Sequence, residues 1–133
     1  MPAQTDLEQA KHVFQAVILT VISDGTPDTA EAVAIAKIRQ EYPQIAALPD
    51  IGEIGKELRT RYTAIGLESC ARAIAGGIKD RDYKELAFVL CAKVMQADGE
   101  TDMEEAELLG LFQELFAFSA DDVKRLIAKA NAK

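Results

Sequence analysis

Two short acidic segments carry the side chains of this chain that are best suited to chemistry. Both contain the pattern D-G-x-x-D-x-x-E, at residues 24–31 within "ISDGTPDTAEA" and at residues 98–105 within "QADGETDMEEAE". Carboxylate oxygens are the ligands that hard divalent cations such as Ca²⁺, Mg²⁺ and Mn²⁺ prefer. The two acidic segments are therefore a candidate metal site, with Asp24, Asp28, Glu31, Asp98, Asp102 and Glu105 as its ligands.

Helix capping explains most of the same residues without a ligand. Gly25 and Gly99 follow apolar helical stretches, where a residue with positive φ commonly closes the last turn. The second aspartate of each segment suits an N-cap, and the glutamate three residues later can accept from the cap N–H. Only Asp24 and Asp98 oppose their local electrostatics, because each faces the negative end of a helix dipole. Either the N–H groups of the next helix or a divalent cation would compensate that charge.

Other kinds of site fit the residue types less well. An EF-hand loop counted from Asp98 needs glycine where Met103 stands, and a di-iron site needs Glu-x-x-His pairs, whereas His12 is the only histidine. We expect His12 to be structural. Cys70 and Cys91 lie in apolar helical stretches, which is typical of core cysteines in a reducing compartment and leaves zinc without ligands. A hydrolase using paired carboxylates would need a concave pocket between the acidic segments.

Helices are the elements that position the acidic segments. Apolar side chains recur at three- and four-residue spacing, and no stretch alternates as a half-buried strand would. The segment "PQIAALPD", residues 43–50, contains two prolines and is predicted to be a linker. We expect an all-α fold, a bundle of about seven helices, over residues 6–22, 28–42, 51–65, 67–75, 82–97, 102–116 and 120–132.

Local signals predict how several of these helices begin and end. Gly66 is expected to end its helix in the left-handed conformation. The helix over residues 82–97 is apolar nearly all round, which indicates a central buried position. Capping boxes are predicted at two helix starts, formed by Asp82 with Glu85 and by Ser119 with Asp122.

The chain also contains an internal repeat. A shift of 74 residues superimposes the two acidic segments and places Phe14 on Phe88 and Tyr42 on Phe116. A solenoid needs about three or more units, so a period seen twice indicates a duplicated helical hairpin. We therefore expect a single domain, residues 1–133, with two pseudo-symmetric helix-turn-helix halves, 7–42 and 82–116.

Composition restricts the partners. Fifteen Lys and Arg against 22 Asp and Glu give a net charge of −7, which repels phosphate backbones and anionic lipid. We expect no nucleic-acid partner, and cations or basic protein surfaces instead. The amino-terminal "MPAQTDLEQAKH" lacks the features of a signal peptide, and the longest apolar run, "AVILTVI", is shorter than the roughly 20 residues of a spanning helix. The prediction is a cytoplasmic protein without direct membrane insertion.

Two longer stretches, "VISDGTPDTAEAVAIAKI" and "MQADGETDMEEAELLGLF", resemble the tellurite-resistance TerB family and its TerB-like relatives. The stretch "FQELFAFSADDVKRLI" is also similar to the closing turn and last helix of that family. The resemblance covers residues 7–130 and is strongest in the second half. The first copy departs from the pattern at Ser23, where alanine is usual, and at Pro27 in the turn. Residues 43–66 resemble no part of it.

The resemblance implies a compact, non-enzymatic helical domain linked to tellurite resistance and wider stress responses. Acidic positions of the family are commonly proposed to bind metal, and TerB itself is associated with a membrane protein. Two functions remain open from the residues. The chain is either a metal-responsive binding protein that docks a protein partner, or a metal-free helical interaction module whose acidic residues are only helix caps. The oligomeric state is not predicted.

Overall fold

The computed structural model describes residues 4–23, 29–48, 51–95 and 103–131, and these residues form helices joined by short connections. No strand occurs in those ranges, which confirms the all-α prediction for them. The number of helices depends on how the one-turn α3 and a break inside α4 are counted. In chain order the helices are α1 (Gln4–Ser23), α2 (Thr29–Glu41), α3 (Pro43–Ala46), α4 (Ile51–Gly76), α5 (Arg81–Met95), α6 (Met103–Leu115) and α7 (Ala120–Asn131).

The long helix α4 is interrupted at Gly66. The backbone of Gly66 has φ 85° and ψ 176°, which is outside the helical region. Glycine reaches positive φ at low cost because it has no Cβ to meet the neighbouring carbonyl. The predicted break and positive φ at Gly66 are confirmed, but its ψ of 176° is extended and not that of a left-handed helix cap, and the helix resumes at the next residue without a connecting loop. α4 is therefore a kinked helix with a first half, residues 51–65, and a second half, residues 67–76.

The prediction of a linker at residues 43–50 is wrong for its first part. Pro43–Ala46 form the single turn α3, and Pro43 occupies its first position, where proline's missing N–H and fixed φ suit a helix start. Ile45 and Leu48 are 0% and 6% exposed, so this segment attaches to the core through two aliphatic side chains. Their burial offsets the cost of ordering a proline-rich connection.

The capping box predicted at Asp82 and Glu85 is also wrong. α5 begins one residue earlier, and the Lys84 N–H donates to the carbonyl of Asp80 at 3.0 Å. The Glu85 carboxylate accepts instead from Arg81 at 3.1 Å and from Arg125 of α7 at 3.1 Å. Hydrogen bonds between ionised groups are roughly twice as strong as neutral ones, so the two guanidinium groups outcompete a backbone N–H.

The capping box at the start of α7 is confirmed. The Asp122 N–H donates to Ser119 Oγ at 3.1 Å, and the Ser119 N–H donates to the Asp122 carboxylate at 3.0 Å. The turn before it contains Ala117 with φ 60°, a left-handed conformation that lacks its usual glycine. The Phe118 N–H donates to the Gln113 carbonyl at 3.0 Å and so closes the end of α6.

Helix α5 is largely buried, as its apolar sequence predicts, and together with α1 it forms the centre of the fold. It contacts α1, α2, α6 and α7. The core side chains around it come from every part of the fold, and the largest of them include Phe88, Phe112, Leu19, Leu58, Ile74 and Leu126, all below 2% exposed. The buried residues of α5 itself are Ala87, Phe88, Val89, Leu90, Cys91, Ala92, Val94 and Met95.

Gln9 fixes how α1 and α5 pack together. Its side-chain carbonyl accepts from the N–H groups of Lys79 and Asp80 at 2.9 and 2.8 Å, and its amide donates to the Asp80 carboxylate at 3.1 Å. The amino-terminal part of α1 therefore lies beside the start of α5. The two helices also contact each other extensively. If α5 ran antiparallel to α1 from this point, it would extend beyond the first residue of α1 within two turns, and most of α5 could not contact α1. We therefore infer that the two helices run parallel.

His12 and Gly77 make a second close approach in the same region. The ring of His12 hydrogen-bonds through Nδ1 to the Glu8 carbonyl at 2.8 Å, and it occupies the space where a Cβ on Gly77 would stand. Glycine is needed at residue 77 for this packing, whereas a Cβ on the preceding Gly76 would meet nothing within 4 Å. The half-buried histidine is structural, in line with the sequence.

The Gln9 contact leads to a prediction about stability. Gln9→Leu keeps the size of the side chain but leaves two backbone N–H groups and the Asp80 carboxylate without their partner, so we expect a loss of roughly 1–3 kcal/mol. Urea unfolding measures this. Gln40→Leu, at an exposed position of α2, is the matched control and should change the free energy of unfolding little. Equal effects of the two substitutions would contradict the role given to Gln9.

The contact between His12 and Gly77 leads to a second prediction about stability. Gly77→Ala should destabilise the fold by about 1 kcal/mol, because the new methyl group must displace the imidazole ring. In a His12→Ala background the same substitution should be neutral or stabilising, since alanine reduces the entropy of the unfolded chain. Gly76→Ala is the control and should not destabilise. A double-mutant cycle by thermal unfolding measures the coupling, and additive effects would show that the ring moves freely.

Candidate functional site

Most of the predicted metal ligands lie outside the described residues. Asp24 and Asp28 fall in the gap 24–28, and Asp98 and Asp102 fall in the gap 96–102. Glu31 and Glu105 belong to the first turns of α2 and α6, and their side chains are also outside the description. The helix starts predicted at Asp28 and Asp102 also lie outside the described residues, and α2 and α6 are described from Thr29 and Met103 onward.

The described helices do show where the acidic segments attach. The first segment follows Ser23, the last residue of α1, and the second begins three residues after Met95, the last residue of α5. Because α1 and α5 start side by side and run parallel, Ser23 and Met95 lie at the same end of the helix pair. Each parallel helix presents the negative end of its dipole there, equivalent to roughly half an elementary charge.

No group of three or more His, Cys, Asp or Glu side chains suited to a metal ion occurs within the described ranges. The four aspartates of the acidic segments lie outside those ranges.

A groove lies between the second half of α4 and α6. It encloses about 380 Å³ and is lined by Leu67, Glu68, Glu107, Gly110, Leu111 and Glu114. The four α6 residues stand at i, i+3, i+4 and i+7, which is one face of a helix. The sequence patterns do not predict this surface, although Gly110, inside a helix and between Glu107 and Glu114, is an unusual residue that could have indicated it. We call this surface the α4–α6 groove.

A smaller groove of about 280 Å³ lies beside α5 and α7 and is lined by Tyr42, Asp82, Glu85, Leu86, Val89 and Lys129. At its edge a charge network joins the two helices. Arg125 and Arg81 contact Glu85 at 3.1 Å each, and Arg81 also contacts Asp122 at 3.1 Å. Two positive and two negative groups balance, so the network holds α7 on α5 and leaves no unpaired acid or base within it.

The pKa values of the two carboxylates reflect this pairing. The hydrogen bond from Arg125 is the main reason why the pKa of Glu85 is lowered, and the neighbouring guanidinium charges act in the same direction. For Asp122 the pKa is lowered chiefly by the hydrogen bond from the Ser119 N–H in the capping box. Both carboxylates are therefore held in the ionised form, which suits ion pairing and does not suit a general acid.

Both cysteines are buried free thiols, in agreement with the sequence. Burial raises the pKa of Cys91 far above its usual value, and it also raises the pKa of Cys70, partly opposed by the charge of Arg61. The thiolate is the reactive form of cysteine, so neither residue has the properties of a catalytic nucleophile.

No protein-family model, curated protein or solved structure matches this chain. Within the described residues, none of the helices combines the length and apolar character needed to cross a membrane.

The cysteines provide a test of the packing around α5. Neither thiol should react with a disulfide reagent such as Ellman's reagent in the folded protein, because both are 0% exposed and their pKa values are raised. Both should react at once in guanidinium chloride. The measurement is thiolate release followed by absorbance. Fast labelling of either cysteine in the native state would show that this part of the core opens readily.

Proposed function

We propose that this chain is a non-catalytic, TerB-like binding protein of the stress-response type, in which the acidic segments hold a divalent cation and the helical body docks a protein partner. Ca²⁺, Mg²⁺ and Mn²⁺ suit an all-oxygen ligand set. The first acidic segment would contribute Asp24, Asp28 and Glu31, and the second would contribute Asp98, Asp102 and Glu105.

The observation that carries the metal site is the parallel packing of α1 and α5. It follows from the hydrogen bonds between Gln9 and the start of α5 together with the long contact between the helices. Both acidic segments attach at the same end of this pair, where two helix dipoles already present negative potential. Asp24 and Asp98 add to that potential. A divalent cation shared by the segments would compensate both the carboxylates and the dipoles.

The contacts between helices also support two pseudo-symmetric halves. α1 packs on α5, α2 packs on α5, and α6 packs on α1. The contacts of α2 with α5 and of α6 with α1 are a reciprocal pair, as an exchange of α1 with α5 and of α2 with α6 would produce, whereas the contact of α5 with α6 has no counterpart of similar extent between the described parts of α1 and α2. The internal repeat of residues 7–42 and 82–116 would then form one structural unit with the acidic segments at corresponding positions.

Other parts of the proposal come from the resemblance to TerB. They are the link to tellurite resistance and stress responses and a protein partner that is itself a membrane protein. The non-catalytic character is likewise taken from the resemblance to TerB. We also propose a cytoplasmic location, as the sequence predicts.

Calorimetric titration tests the metal site directly. Protein stripped with a chelator should release or absorb heat with at least one of Ca²⁺, Mg²⁺, Mn²⁺ and Zn²⁺. A cation at 100 times its Kd should also raise the free energy of unfolding by about 2.7 kcal/mol, because it binds only the folded chain. Replacement of both unfavourably placed aspartates, Asp24→Asn with Asp98→Asn, should weaken the affinity at least about tenfold.

The matched control for that variant is Asp82→Asn with Asp121→Asn, which removes the same charge from exposed positions in the first turns of α5 and α7. It should bind the cation as the parent chain does. Absence of heat with every cation, together with unchanged thermal stability, would contradict the metal site. If the Asp24→Asn, Asp98→Asn protein then loses stability but keeps its partner, the metal-free interaction module is the correct alternative.

A further inference from the structure

The α4–α6 groove has the chemistry of a docking surface. Leu67 and Leu111 are partly buried and form its apolar base, and the three glutamates around them are exposed. Ile65, two residues before Leu67 at the kink of α4, leaves 48% of its surface in solvent. An apolar base with a charged rim is the usual arrangement of a surface that receives an amphipathic helix.

Gly110 is a second feature that packing within the chain does not explain. It lies in the interior of α6, where glycine costs about 1 kcal/mol relative to alanine. A Cβ added there would meet nothing within 4 Å, so no neighbouring side chain requires the glycine. The missing side chain keeps the centre of the groove open and lets another backbone approach α6 closely.

The charge of the groove indicates what approaches. Glu68 already pairs with Arg72 at 2.8 Å. Glu107 and Glu114 form no salt bridge with any Lys or Arg in the described residues, and they flank Gly110 one helical turn to each side. The apolar base thus has a carboxylate without a described salt bridge at each end. This arrangement is complementary to a segment that has aliphatic side chains on one face and Lys or Arg beside them.

We propose that the α4–α6 groove binds a cationic amphipathic helix of a protein partner. Its aliphatic face rests on Leu67 and Leu111, its backbone passes over Gly110, and its basic side chains pair with Glu107 and Glu114. The proposal rests on the partner-docking part of the proposed function and identifies the surface and the chemistry of that partner.

The probe is a synthetic peptide of about 18 residues, roughly five helical turns, with Leu on one face and Lys on the other. Fluorescence anisotropy of the labelled peptide should show saturable binding to the full chain that weakens as salt is added. A scrambled peptide of the same composition has the same charge but no apolar face, and it should bind at least about tenfold more weakly. Equal binding of the two peptides would reduce the effect to general attraction by an acidic protein and overturn the proposal.

Gly110→Leu is the blocking variant. The new side chain fills the groove and raises the helix propensity of α6, so the fold should be kept while peptide affinity falls at least about tenfold. Gly52→Leu is the matched control, because Gly52 is also an exposed glycine in a helix whose added Cβ would meet nothing within 4 Å. Unchanged binding by Gly110→Leu would overturn the proposal. A dimer that this substitution abolishes, seen by sedimentation, would assign the groove to a second copy and also overturn it.

The rim is tested separately with Glu107→Gln and Glu114→Gln combined, which should weaken the peptide several-fold and reduce its salt dependence. The control, Glu53→Gln with Glu57→Gln, removes the same charge from exposed positions on the first half of α4. If both pairs weaken binding equally, the rim is not the contact. Gly110→Leu keeps all six proposed cation ligands, so it should still bind the cation in calorimetry while losing the peptide, and failure of the groove and failure of the metal site are therefore distinguishable.

Discussion

The contact between Gln9 and the start of α5 is the constraint on which the rest of the architecture depends. A buried amide that is 6% exposed satisfies two backbone N–H groups and one carboxylate that belong to a segment 70 and 71 residues away. Unpaired polar groups at such a position would cost more than the bonds contribute, so the contact specifies one register for α1 on α5. Together with the extended contact between the two helices, that register leads us to infer that they run parallel, which places the ends of α1 and α5 that precede the acidic segments on the same side.

The second half of the chain is assembled on α5 by a different mixture of forces. Phe118 packs edge-on against Phe88 with ring centroids 5.5 Å apart, and the guanidinium of Arg81 lies 5.4 Å from the Phe118 ring. The left-handed Ala117 directs Phe118 into this position, since the chain must reverse between α6 and α7 there. The ion pairs of Arg81 and Arg125 then close the rim of an interface whose centre is apolar. α6 itself packs on α4, α5 and α1, and the α4–α6 groove is a consequence of that placement.

Local features of this fold were predictable from the sequence, and features set by distant residues were not. The kink at Gly66, the capping box of Ser119 and the burial of α5 depend on residues within one or two turns, so spacing alone indicates them. The spacing of Glu85 from Asp82 permits a cap, and spacing alone therefore predicts one. Its actual partner, Arg125, lies 40 residues further along the chain and no local pattern shows it. The positive φ of Ala117 could not be predicted either, because the residue is not a glycine. The six carboxylates of the acidic segments rest on sequence reasoning, while the groove required the pairing of α4 with α6 to be known.

Helix α6 connects the two proposed sites. Asp102 precedes its first residue, Glu105 lies in its first turn, and Glu107 begins the rim of the α4–α6 groove only two residues later. At a rise of 1.5 Å per residue, Glu105 and Glu107 are about 3 Å apart along the axis of α6, which is less than the Debye length of about 8 Å at physiological salt. A cation bound by Glu105 would therefore reduce the attraction between the groove and a basic helix. Ordering of the start of α6 by the same cation would favour a preformed groove and act in the opposite direction. Thermodynamic linkage makes the effect of the cation on peptide affinity equal to the effect of the peptide on cation affinity. If binding of one weakens the other, the electrostatic effect is the larger, and if it strengthens the other, the ordering of α6 is the larger.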